Sequence, residues 1–192
     1  MKPFIVGLAI IILFLFLLVF WQDHLNYRID RQVLKYCAEE ASSSAMLYFR
    51  PDEFNTGIKV FDENEGKKAI EQVIRYWLKL GDYEFDGIGK VSYTAYFFDD
   101  YTDSSGKLYY RVIKDGQLIG GDYFKYKSSM SDGIVEYEFD DGNGKFKYKK
   151  YITHPTIVVT INAGKAYFRS SFILGEEPEL VRSAAYEYFN KK

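Results

Sequence analysis

Cysteine, histidine and proline are scarce in this 192-residue chain, net charge is nearly absent, and each shortage closes off a class of explanation. The single cysteine, Cys37, excludes an internal disulfide framework and a multi-cysteine zinc site. His24 and His154 are the two histidines, one beside an apolar run and one before Pro155, so they form no ligand pair for a metal. No nucleophile motif accompanies them, and the sequence therefore predicts no catalytic residue, no cofactor and no enzyme. Four prolines, without serine or proline tracts, exclude a flexible stalk. Basic and acidic residues number 25 and 27, a balance that gives no overall pull toward nucleic acid or an anionic surface.

What the chain does have is one long apolar run. From Phe4 through Phe20 there is no charged or polar side chain. At about 1.5 Å of rise per residue, a helix over residues 3–21 just crosses a hydrocarbon core of about 30 Å. Trp21 then falls where an aromatic interfacial anchor belongs. A cleaved secretory signal would need a shorter run, about 7 to 15 residues, followed by a small-x-small site. Here the run ends Leu17-Leu18-Val19-Phe20-Trp21, so an uncleaved single-pass anchor over 1–22 is expected, with Phe4, Gly7, Phe20 and Trp21 as its marker residues. The flanking charges are Lys2 on one side and Arg28, Arg31 and Lys35, diluted by Asp23 and Asp30, on the other. That positive-inside count leans toward the reverse of an external domain.

Residues 23–192 are enough for one domain with a real core. The segment 24–49 has no Gly or Pro and reads as a helix, which would make one long rod with the anchor. Ile29, Val33, Tyr36, Cys37, Ala41, Ser44 and Tyr48 recur at three- and four-residue spacing on one face, and the seam Ile29, Val33, Cys37, Ala41 and Ala45, small-sided from Cys37 onward, is suited to close approach by another backbone. Such a stripe serves either a partner or the chain's own core, and core is the commoner use. Gly7 and Ala9 would allow similar approach inside the bilayer. Arg50-Pro51 ends this helix, because the residue before proline avoids the α region. Asp62-Glu63-Asn64-Glu65 supplies a capping start for an amphipathic helix over 65–80, with Gly81 as its expected left-handed stop.

Beyond Lys90 the apolar period changes to two. Strands are expected at 91–98, 107–113, 123–127, 134–139, 145–152, 156–161 and 166–172, with a last one at 181–188. Asp115-Gly116, Asp132-Gly133, Asp141 to Gly144 and Ala163-Gly164 supply the turns, so the strands should form an antiparallel sheet within 90–188. The fold class is α+β.

Two stretches invite a chemical reading. Lys145 to Tyr151 interleaves bases with aromatics, a pattern for gripping single-stranded nucleic acid. A turn centred on Gly142-Asn143 would set Asp140, Glu138 and Glu136 opposite Lys145, Lys147 and Lys149, with Phe139 against Phe146 and Tyr137 against Tyr148. A two-residue slip would keep acids facing lysines, and either register neutralises the patch, so no nucleic-acid partner is expected. Asp99 to Gly106 is acidic, but it lacks the alternate-acid spacing and terminal Glu of an EF-hand and reads as a turn. Cys37 reads as a buried small residue rather than a nucleophile or lipidation site.

An apolar span running into a helix and then an aromatic antiparallel sheet resembles the organisation of type IV pilin-like proteins. More closely, the chain resembles TadE-like minor pilins or pseudopilins of tight-adherence (Flp-type) pilus systems in Gram-positive bacteria. The resemblance lies in the anchor, in Arg31 to Ala41, in Phe61-Asp62-Glu63-Asn64-Glu65, and in His154 to Ile161 with Tyr167-Phe168-Arg169 and Val181 to Tyr186. It covers about half the chain and carries no catalytic motif. It implies a cell-membrane protein with its C-terminal domain extracytoplasmic, acting by contact with other pilin-like subunits or platform proteins of a pilus, secretion or conjugation machine, with oligomers possible. No basic leader ending in Gly precedes the span, and no Glu stands at the fifth position of the run. A membrane-held accessory component is thus expected rather than a processed filament subunit. The competing expectation is a membrane-tethered sensor or ligand-binding domain that uses an aromatic sheet face as its pocket.

Overall fold

The absence of proline after Pro3, with Gly7 the one weak helix former before Ala45, has a direct structural result: α1 runs unbroken over Lys2–Ala45, 44 residues and about 66 Å. The computed structural model describes residues 2–80, 91–102, 108–119, 124–125, 135–140, 147–152, 154–166 and 178–188. Anchor and second segment are one rod. It stops four residues before the expected end at Phe49, because Phe49 pairs antiparallel with Phe61 instead. Hydrogen bonds from Arg50 N to Val60 O (2.9 Å) and from Asp62 N to Tyr48 O (3.0 Å) complete this small ladder. Between its arms Pro51 starts a short helix, α2 (Pro51–Asn55), where its fixed φ and missing N–H are no handicap.

Helix α3 spans Glu63–Leu78. The Asp62 carboxylate caps it, accepting from Asn64 N at 3.0 Å and Glu65 N at 3.2 Å. Its left-handed stop is Lys79 (φ 53°), two residues before the expected Gly81, which lies outside the described residues. Gly66, Ile70 and Ile74 form its buried face. Gly66 is there for closeness: a Cβ at this position would sit 2.9 Å from Phe97 Cε1. Phe97 is fully buried and has little room to retreat. Gly66→Ala is therefore expected to cost about 1 to 3 kcal/mol despite the better helix propensity of alanine, as read by thermal denaturation.

The sheet is antiparallel, with five strands in line among the described residues. In chain order these are β1 (Ser92–Thr102), β2 (Leu108–Lys114), β3 (Gln117–Leu118), β7 (Thr156–Lys165) and β8 (Glu179–Glu187). Their spatial order is β3-β2-β1-β7-β8, and β4 (Phe124–Lys125) also pairs with β2. Lys114 faces Gln117 across Asp115 (φ 47°) and Gly116 (φ 78°), the two-residue turn with both φ positive that hairpins favour. The Asp115 carboxylate also accepts from Tyr93 N at 2.8 Å, tying that turn to β1.

A separate hairpin joins β5 (Val135–Asp140) to β6 (Lys147–Ile152). Its register is offset by two from the centred-turn expectation: Asp140 faces Lys147, Glu138 faces Lys149 and Phe139 faces Tyr148. An offset of two preserves the parity of the pairing. Glu136, however, now meets Tyr151, and Tyr137 meets Lys150.

Ala163-Gly164 is a bulge, not a turn. β7 continues through it, pairing Asn162 with Val181 before it and Lys165 with Glu179 after it. Gly164 takes φ 78°, and its N–H donates to the Asn162 side chain at 2.8 Å. Of the expected strand at 166–172, residues 167–172 lie outside the described residues, as do 81–90.

Helices α1 and α3 cover one face of the sheet, and α1 also packs on β7 and β8. Tyr93, Ala95 and Phe97 alternate inward from β1 against Ile157, Val159 and Ile161 of β7, Ile70 and Ile74 of α3, and Cys37 and Ala41 of α1. Trp77 Nε1 donates to Glu40 at 2.6 Å, and the Tyr93 hydroxyl donates to Glu71 at 2.9 Å, so polar contacts fix α3 to both neighbours.

Candidate functional site

The apolar half of α1 stands clear of the domain. Phe4 and Trp21 are 76% and 66% exposed, Phe20 is 44% exposed, and a Cβ on Gly7 would meet nothing within 4 Å. None of the most apolar stretch is buried. A helix apolar on every side has no stable place in water, and this one is long and apolar enough to span a membrane.

The five seam residues divide along the rod. Cys37, Ala41 and Ala45 are completely buried in the domain core, Val33 is half-buried, and Ile29 is 57% exposed. The buried stripe is Leu34, Cys37, Ala38, Ala41, Ser42 and Ala45, turned slightly from the expected one. Small side chains at these positions let α1 lie close on β7, β8 and α3. Burial, then Glu40, pushes the Cys37 thiol up to about 12, leaving it protonated and a poor nucleophile. Ala41→Trp should overpack this layer and cost about 1 to 3 kcal/mol or more, whereas Ile29→Trp should change stability by less than about 0.5 kcal/mol. Thermal melts of the two variants separate the roles, and equal losses would contradict this division.

Sequence reasoning missed a buried charged cluster. Asp99 is fully buried and Arg111 is 2% exposed, at the place where β1 and β2 slip register beyond Phe98 and Tyr110. The Arg111 guanidinium donates to both Asp99 oxygens, at 2.8 and 2.9 Å, and to Phe61 O at 2.8 Å. Asp99 also accepts from Phe61 N at 2.8 Å. Glu63 pairs with Arg111 and, at 3.1 Å, with Arg50. The residue entering α3 is thus clamped by both of its backbone groups to the sheet. Burial pushes the Asp99 carboxyl up to about 7, with the Phe61 N–H and Arg50 pulling the other way. The paired Arg111 guanidinium favours the charged form against that burial. Asp99 is accordingly part of a strand and a core clamp, not of a surface acidic turn; the rest of that stretch, 103–106, lies outside the described residues. A signal was present: Phe97 and Asp99 share the inward parity of β1, and Arg111 shares that of Ile113 on β2.

On the opposite face of the sheet, Thr94, Tyr96, Val112, Lys114, Thr160 and Asn162 line an open groove of about 270 Å³. The Thr160 and Ser183 hydroxyls, 2.5 Å apart, hydrogen-bond on that face. His154 Nδ1 lies 3.2 Å from Glu187 Oε1, away from Cys37 in the core. Among the described residues no group of three or more His, Cys, Asp or Glu is placed to hold a metal ion.

No family model, curated protein or solved structure matches the chain. Its class therefore rests on its own architecture. It is an α+β protein in which one N-terminal helix, long and apolar enough to span a membrane, continues into a domain with an antiparallel sheet.

Proposed function

We propose that this protein is a membrane-anchored, pilin-like accessory component of a pilus, secretion or conjugation machine, acting by protein–protein contacts, with its domain on the extracytoplasmic side. The observation that carries this reading is the unbroken α1, whose apolar half is bare and whose other half is built into the domain core. A rod of this kind transmits any displacement of the membrane segment directly to the domain, with no linker to absorb it. A merely tethered domain needs no such continuity. Gly7, with nothing within 4 Å of where its Cβ would stand, and Ile29, exposed above the membrane, are the positions on α1 where a second helix would pack. The TadE-like resemblance supplies the type of machine, and the orientation follows from it.

The groove over Thr94, Tyr96, Thr160 and Asn162 favours a second reading, a tethered ligand-binding domain, since it joins an aromatic ring to hydroxyl and amide groups in one concavity. Affinity purification of the full-length protein from native membranes separates the two. Co-recovery of pilin-like subunits or a polytopic platform protein is the expected result. Recovery of the protein alone would overturn the assembly reading and favour the groove.

A further inference from the structure

Charge on this chain is balanced overall but not locally. Arg28, Arg31, Gln32, Lys35 and Tyr36 of α1, with Arg182 of β8, line an open cleft of about 300 Å³. Lys35 has a weak partner in Glu39 at 3.6 Å. Among the described residues no carboxylate pairs with Arg28, Arg31 or Arg182. Helical geometry explains the imbalance: Arg28, Arg31, Gln32 and Lys35 recur at i, i+3, i+4 and i+7 on one side, while Asp30 and the buried Asp23 lie on the other. Arg182 points to the same side of the sheet as Leu180 and Ala184, toward α1, and so closes the cleft from across the helix. Partial burial, and then the nearby Arg31, make the Arg182 guanidinium less willing to hold its proton. Among the described residues these four cations share one acid, Glu39, which lies 3.6 Å from Lys35, so an anion joining them is favoured.

The cleft's height says which anion is near. Trp21, Arg28 and Lys35 are seven residues apart and lie along one face of α1. With Trp21 at the headgroup level, Arg28 stands about 10 Å further along the helix and Arg31 about 15 Å. The polar layer of a bilayer is about 5 to 8 Å thick on each side, so the lower lip of the cleft opens just above it. Long arginine side chains can bend down to meet phosphate there. Their planar forks suit a phosphodiester, which accepts two parallel N–H bonds. The Gln32 amide donates to the Tyr36 hydroxyl at 3.0 Å, leaving the Tyr36 O–H as a neutral donor in the lining.

We propose that this cleft is a binding site for the phosphate of an anionic lipid headgroup in the leaflet from which the helix emerges. The inference rests on insertion of α1 in a bilayer, and it is independent of which machine, if any, the protein serves. A bound lipid would fix the rotation of the rod about its axis and the height of the domain above the membrane.

Full-length protein in neutral detergent, titrated with phosphatidylglycerol or phosphatidylcholine and read by native mass spectrometry, tests it. The expected result is selective retention of one phosphatidylglycerol. Arg28→Gln with Arg31→Gln, both on the exposed side of α1, should weaken that retention about fivefold per charge removed, with only a small fall in melting temperature from loss of the Arg31 contact over the Tyr27 ring. Arg182→Gln should weaken it likewise. Equal retention of the two lipids, or undiminished selectivity in the double variant, would overturn the proposal. A third arm adds inorganic phosphate: displacement of the lipid at comparable concentration would assign the cleft to a soluble phosphate and overturn the lipid source.

Discussion

Ile10→Arg combined with Phe14→Arg is expected to release the protein from membranes while leaving its domain folded. The run Phe4 to Phe20 holds fifteen Leu, Ile, Val or Phe residues, each favouring insertion by about 0.3 to 0.6 kcal/mol near the bilayer centre. Their sum is about 5 to 9 kcal/mol, so one central arginine, at about 2.5 to 3.5 kcal/mol, would not suffice. Two bring the balance close to zero. The domain is spared because Ile10 and Phe14 are about 60% exposed and contribute nothing to its core. Alkaline extraction of membranes, with limited proteolysis to check the fold, gives the readout. Retention of the double variant at the wild-type level would show that something other than α1 holds the protein there.

Asp99→Ala carries the next largest effect, an expected loss of about 3 to 5 kcal/mol. The substitution strips Arg111 of both Asp99 oxygens at a site where water cannot replace them. It also leaves Phe61 N, the entry to α3, without its acceptor. Asp99→Asn keeps an acceptor for Phe61 N but removes the charge, and should fall between wild type and Asp99→Ala. Thermal and urea denaturation of the full-length variants in detergent measure both. A loss under about 1 kcal/mol for Asp99→Ala would mean that Glu63 alone compensates Arg111.

The two sites differ in how openly the sequence announces them. The anchor is legible because hydrophobic length is a local property, and no arrangement of the rest of the chain can hide seventeen consecutive apolar residues. Asp99 was harder to read, because an acidic residue beside Asp100 and Asp103 has the composition of a turn even though its parity matches that of Phe97. Only the register of β1 against β2 places Arg111 beside it. The seam falls between these cases. Its helical spacing was visible, but the same five residues serve the core at Cys37, Ala41 and Ala45 and reach solvent at Ile29. Periodicity says which residues share a face and not what meets it.

The sequence by itself determined the rod, the Asp62 cap, the Asp115-Gly116 hairpin and the period of two that marks the strands. Each depends on contacts within a few residues, where propensity and turn chemistry dominate. Tertiary structure alone decided that β1 pairs with β7, from Ser92 against Asn162 to Phe98 against Thr156, across more than fifty intervening residues. It alone decided that Ala163-Gly164 is a bulge within a continuing strand, and that Arg182 meets the arginines of α1. Pairings at that separation are set by which buried faces fit together in three dimensions, and loop-closure entropy depends too weakly on length to favour one partner over another.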